Sequence, residues 1–183
     1  MADDGPILFM DAVHPTQATK VTSGWIRTGV DKPIETTGSH TRLNIVGAIR
    51  LGHLEDTISA QYKTVNGESI IDFFARIKTS YPTNSIFHPM LHDAGYHRSG
   101  EVKKKAEELG GQLHYLPPYS PNLNPIERLW KIIDEHARNN RYFATAKIFR
   151  WHINNFFDVT LPNIGNDLDS RINDNFQTFK FSS

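Results

Sequence analysis

The sequence predicts an α/β fold, a mixed five-stranded sheet flanked by helices. Three observations carry this. Short, dense apolar runs of strand length recur from the N-terminus onward. After an antiparallel-looking meander the pattern becomes strand, helix, strand, helix, strand, as expected when parallel strands are joined by crossovers. Beyond residue 125 the apolar spacing is helical throughout.

In chain order, "PILFMDAVHP" reads as a buried strand over Ile7 to Val13, stopped by Pro15. Residues Gln17 to Ser39 are polar with scattered Gly, Pro and Thr, and read as a meander of weak strands around Trp25. "TRLNIVGAIR", Thr41 to Arg50, is a β-branched strand in which Gly47 marks a bulge or a close approach. "DTISAQYKTV" alternates apolar and polar residues and suits a half-exposed third strand. After Asn66-Gly67, residues Ile70, Phe73, Phe74 and Ile77 fall at helical spacing, ended by Pro82.

"SIFHPML" is a further apolar run whose proline suits a strand edge or start. "SGEVKKKAEELG" is an amphipathic helix, capped by Ser99 and closed by Gly110-Gly111. "QLHYLP" is a brief strand, and helices follow over about 125–137 and 145–157, with a short one at the C-terminus. The 183 residues are expected to form one domain, with a helical extension from about residue 145.

Composition narrows the function. Lys plus Arg and Asp plus Glu both total 20, so net charge points to no polyanionic partner and any such signal must be local. There is no cysteine, which excludes disulfides and thiolate metal sites. The start "MADDGPILFM" has no basic segment ahead of a long apolar run, and no stretch approaches membrane-spanning length. A cytoplasmic protein is the expectation, with no membrane partner.

The stretch "LPPYSPNLNPIERLW" raises the main chemical question. Pro117, Pro118, Pro121 and Pro125 stiffen the approach to a helix that carries Glu127 in its first turn. On local pattern Asn124 caps that helix and Glu127 closes a capping box. The alternative is a carboxylate held rigidly to meet others. Ile126, Leu129, Trp130 and Ile133 form the core-facing stripe, and Glu127 lies at its edge. Asp11 ends the first strand and Asp93 follows "SIFHPML". Acids after buried strands tend to converge at one end of a sheet. Three carboxylates form an all-oxygen site suited to Mg²⁺ or Mn²⁺, and two such ions can clamp both oxygens of a phosphoryl transfer.

These motifs resemble the DDE transposases of bacterial insertion sequences related to the mariner superfamily. "LPPYSPNLNPIERLW" is similar to that family's signature, "LFMDAVHPT" to the segment of its first acid, and "AGYHRS" to the stretch after its second. "GSHTRLNIVGAI" matches the intervening strand, so the resemblance covers nearly the whole chain in order. It implies an RNase H-like fold, two Mg²⁺ (or Mn²⁺) ions, and cleavage and joining of transposon ends. Asp11 matches the first acid and Glu127 the third. At the second, His92 stands where the family has Asp, and Asp93 is one place later. A one-residue shift within a strand turns a side chain to the opposite face. The expected catalytic and metal-binding set is Asp11, Asp93 and Glu127. His92 is a further candidate ligand that suits Zn²⁺ better than Mg²⁺. His97 is either a neighbour of substrate phosphate or an ordinary loop residue.

His88 and His92 are spaced like a helical zinc pair, but Pro89 opposes the helix. Lys103, Lys104 and Lys105 read as one solvated helix face. Arg128, Lys131, Arg138, Arg141, Lys147 and Arg150 cluster after Glu127 and are expected to contact DNA. The aromatics among them, Tyr142, Phe143 and Trp151, are expected in the core, and Trp25 in packing. Family members carry helix-turn-helix modules before the first acid, and ten residues cannot form one. A separate DNA-reading domain or reading frame is therefore expected, with the protein acting as a homo-oligomer on DNA. The alternatives are an inactive remnant that binds DNA or a partner protein, and an RNase H-like nuclease without strand transfer.

Overall fold

A computed structural model describes residues 5–23, 27–28, 33–92, 95–118 and 120–175. Five strands form one sheet in the order β3-β2-β1-β4-β5. They are β1 Ile7–Val13, β2 Asn44–Arg50, β3 His53–Tyr62, β4 His88–Leu91 and β5 His114–Tyr115. β1, β2 and β3 run antiparallel, whereas β4 and β5 are parallel to β1. This is the mixed, helix-flanked RNase H-like sheet that the sequence predicts.

Side-chain alternation gives the sheet two apolar faces, each covered by helices. Leu8, Met10, Val46, Ala48 and Leu91 pack against α1 (Gly67–Ser80) and α2 (Gly100–Glu108). Ile45 and Ile49 face α3 (Ile126–Ile133), α4 (Ala146–Asn155) and α5 (Leu161–Ile164). α1 starts where Asn66 accepts from the backbone N–H of Ser69, while the Ser69 hydroxyl accepts from that of Asn66. Ser99 caps α2, and Lys103, Lys104 and Lys105 are exposed along it.

Several boundaries differ from the sequence reading. β3 starts earlier than "DTISAQYKTV" because β2 and β3 form a tight hairpin pairing Arg50 with His53 through Gly52, whose φ of 75° is left-handed. The expected strands between Gln17 and Ser39 do not form among the described residues. Bonds such as Gln17 N–H to the Thr41 carbonyl hold that segment, with isolated bridges at Thr16 and Lys20. Trp25 lies outside the described residues. The helix expected over 125–137 is α3 continued by a π-helical turn, Asp134–Arg138, closed by the Asn139 N–H on the Asp134 carbonyl at 2.7 Å. A second π turn, Phe156–Thr160, joins α4 to α5. Among the described residues no helix is long and apolar enough to cross a membrane.

Candidate metal centre

Asp11 lies near the C-terminal end of β1, at the sheet centre, paired with Gly47 of β2. β4 runs beside it in parallel register, Ile7 with His88 and Phe9 with Met90. Carried on by two residues, that register sets His92, just past the end of β4, alongside Asp11. α3 packs across β1 and β2 on this face and brings in Glu127. Ligand atoms of Asp11, His92 and Glu127 all lie within 4.8 Å of one another. His92 Nε2 is 3.8 Å from Glu127 Oε1, beyond hydrogen-bond reach, and is buried without a hydrogen-bond partner. Asp93, expected as the second acid, lies outside the described residues.

Two side chains fix this geometry. The Trp130 indole Nε1–H donates to Asp11 Oδ2 at 3.0 Å, and the Ala12 backbone N–H also bonds the carboxylate, so its orientation is set from two sides. Asn124, 1% exposed, donates from Nδ2 to the Met10 carbonyl at 3.1 Å, tying the proline-rich segment to β1 one residue before Asp11. The capping role expected of Asn124 is thereby overturned. Pro125 occupies the cap position, no side chain caps α3, and the Asn124 side chain is spent on a strand 114 residues away in sequence. Glu127 makes no return bond to Asn124; its own backbone N–H donates to the Asn124 carbonyl.

Gly47 is the close-approach site that the sequence suggested. A Cβ there would stand 2.5 Å from Trp130 Cη2 and 3.3 Å from Ile126 Cδ1. The missing side chain makes the slot through which the indole reaches Asp11. The sequence reading treated Trp130 as core packing alone, although its position three residues after Glu127 puts both on neighbouring parts of one helix face.

The cluster is electrostatically tense. Burial pushes the Asp11 carboxyl above its ordinary range, opposed by the Trp130 hydrogen bond and the nearby His92. Burial and then the Asp11 charge push Glu127 upward, opposed by His92 and Lys131. Two carboxylates crowded beside an imidazole make a site that a metal cation would relieve.

The remaining candidates are dispersed. His97 is buried in a 3₁₀ turn, Gly95–Arg98, where its carbonyl accepts from the Tyr115 hydroxyl, and it is not among the three clustered ligands. His88 sits in β4 with Nδ1 3.0 Å from His114 Nε2. Lys131, Arg141, Lys147 and Arg150 are exposed. Arg138 is drawn into the fold by Asp134 and the Thr16 carbonyl, and Arg128 donates to the Asn173 carbonyl at 2.6 Å. Of the aromatics, Phe143 is buried as expected. Tyr142 and Trp151 are not: they are 43% and 59% exposed; Tyr142 precedes α4, and α4 itself turns only Phe149 and Ile153 fully inward.

Comparison with known proteins gives concordant results. A family model described as DDE superfamily endonuclease matches residues 6–150. An insertion element IS630 uncharacterized 39 kDa protein of Shigella sonnei is 22% identical over 163 residues, 86% of this chain and 46% of its own length. The chain thus spans about half of that relative. The fold is similar to a Mos1 strand transfer complex (TM-score 0.64, 14% identity, 91% of this chain and 51% of that one). It is also similar to a mariner Mos1 paired end complex with Mg (TM-score 0.62, 13% identity, 96% and 57%).

Two outcomes follow from this geometry. Gly47→Ala will lower stability by about 1–3 kcal/mol through overpacking against Trp130, measured by urea denaturation. In a Trp130→Phe background, which lacks the obstructing ring atoms, the same change will cost much less; equal cost in both backgrounds would show that the indole does not need the slot. A raised folded-state carboxyl contributes stability below its ordinary pKa and loses it as pH rises through the raised value. Glu127→Gln will therefore raise the metal-free melting temperature at neutral pH, and the advantage will close as the pH falls below the ordinary glutamate range. A pH-independent difference would contradict the shift.

Proposed function

This chain belongs to the DDE superfamily endonucleases, and from that premise we propose that it is the catalytic unit of an insertion-element transposase, cleaving and joining DNA strands with divalent cations held at Asp11, His92 and Glu127. The observation that supports this most is the meeting of those three side chains from β1, the end of β4 and α3 on one sheet face. Their fit to a cation rests on the buried His92 Nε2, which has no hydrogen-bond partner and stands beside two carboxylates.

The reaction exchanges one phosphorus–oxygen bond for another. A water oxygen, or later a 3′-hydroxyl, attacks phosphorus in line, and the bond to the departing oxygen breaks. Bound divalent cations would supply charge neutralisation for the phosphate oxygens. The chain's own contribution is placement. Trp130 holds Asp11 in one rotamer, Asn124 anchors the rigid approach to α3, and α3 presents Glu127 from a packed element. Lys131, one turn after Glu127, together with Arg141, Lys147 and Arg150, would contact the DNA backbone. Tyr142 and Trp151 lie exposed among these cations and suit stacking on unpaired bases. On this reading the protein is one domain with a helical C-terminal part, works as an oligomer on DNA, and relies on a separate module to read transposon ends.

An imidazole at the second ligand position also supports a second reading, a chain that binds DNA without cutting it. Asp93 supports a third arrangement in which it joins the ligand set. Nicking of supercoiled plasmid separates them. With Mg²⁺ or Mn²⁺ the wild-type chain will nick, and Glu127→Gln will reduce the rate by about a hundredfold or more while remaining folded. Asp93→Asn will leave nicking largely intact if His92 is the second ligand and abolish it if Asp93 is. Salt-sensitive DNA binding with no nicking in either cation would favour the binding-only reading. Nicking without joining of a supplied 3′-hydroxyl would mark a nuclease alone.

A further inference from the structure

We infer that the Asp11–His92–Glu127 centre is a mixed nitrogen–oxygen site that selects a first-row transition dication, Mn²⁺ and its neighbours toward Zn²⁺, over Mg²⁺. The inference rests on the metal-centre reading above and extends it to the identity of the ion.

The donor set carries the argument. A site of three carboxylates offers only hard oxygen and three negative charges. Here the second described position offers an imidazole nitrogen, neutral when it binds a metal, so the three described ligands bring two charges. Mg²⁺ is bound almost wholly by charge and oxygen, and it gives up water reluctantly. Replacing a carboxylate by an imidazole therefore costs Mg²⁺ a charge and returns little. A transition dication gains a real bond to imidazole nitrogen, so the same replacement costs it less.

Three features of the structure direct that nitrogen and limit the oxygens. His92 Nε2 is buried, has no hydrogen-bond partner, and lies 3.8 Å from Glu127 Oε1. A buried acceptor or donor left in that state is costly unless something fills the gap. The parallel register of β1 and β4 sets His92 beside Asp11 without any loop rearrangement. Asp11 Oδ2 is engaged by the Trp130 indole and the carboxylate also takes the Ala12 backbone N–H, so bidentate capture of an oxygen-seeking ion is disfavoured. The remaining cluster of this kind among the described residues, His53, Glu55 and Asp56, is largely exposed on β3 and has no such orphaned nitrogen.

The test uses the whole chain without DNA. Mn²⁺ and Mg²⁺ affinities are measured by calorimetry for the wild type and for His92→Asp, with thermal unfolding as the check on folding. The Mn²⁺-to-Mg²⁺ affinity ratio will fall at least tenfold in His92→Asp, chiefly because Mg²⁺ binds better. Electron spin echo of bound Mn²⁺ will show modulation from a coordinated nitrogen in the wild type, absent in His92→Asp. An unchanged ratio would overturn the inference, and so would the absence of nitrogen modulation in the wild type. If His92→Asp does not fold, His92→Gln, which keeps a neutral side chain but removes the imidazole, must still lose the nitrogen signal; retention of the signal would equally overturn it. The plasmid assay stands apart from this. Nicking with an unchanged ratio would leave the proposed function intact and sink the selectivity. A shifted ratio with no nicking in any cation would do the reverse.

Discussion

The arrangement depends on one hydrogen bond made through a gap. The indole of Trp130 reaches Asp11 only because residue 47, its neighbour across the β1–β2 ladder, has no side chain. That contact locks a strand-borne carboxylate to the helix that carries Glu127, so the separation of the two acids is set by packing rather than by loop conformation. Asn124 adds a second tie, from the mouth of the same helix to the backbone immediately before Asp11. The prolines ahead of it lower the entropy lost in ordering that approach. The proline-rich segment and the helix are thus tied to adjacent residues of β1, Met10 and Asp11.

Such rigidity has an electrostatic consequence. Carboxylates free to move would separate; here burial and then the nearby Asp11 charge push the proton affinity of Glu127 upward. The third corner is a histidine with no hydrogen-bond partner at its inward nitrogen. A positive ion at the centre would satisfy all three groups at once. The tension is a property of the metal-free chain, and it is the physical reason to regard the cluster as a site and not as a chance meeting of polar residues. The exposed cations of α3 and α4 lie outside it, and the two arginines expected to join them, Arg128 and Arg138, are engaged in holding the C-terminal segment and the Asp134 turn.

Much of this was legible in the sequence because it follows from periodicity. β1 forms over Ile7–Val13 as its apolar run predicts, and Gly47 reads as a close approach because an isolated glycine in a strand wants a reason. What escaped was long-range. Asn124 followed by proline looks like a cap by every local rule, yet its partner is Met10, which no local rule can supply. Trp130 fits an apolar stripe so well that its polar N–H went unused. Trp151 fell outside the core because the inward stripe of α4 is narrow, filled by Phe149 and Ile153. At the second position, the β1–β4 register carried on by two residues sets His92 alongside Asp11, and a sequence does not contain a register.

The central claim is that Asp11, His92 and Glu127 share one divalent ion. A crystal of the protein soaked in Mn²⁺, with anomalous diffraction collected at the manganese edge, tests it most directly. The account predicts a strong peak within bonding distance of one oxygen of Asp11, the inward nitrogen of His92 and one oxygen of Glu127. A peak elsewhere, or ordered side chains around an empty centre at saturating Mn²⁺, would contradict it.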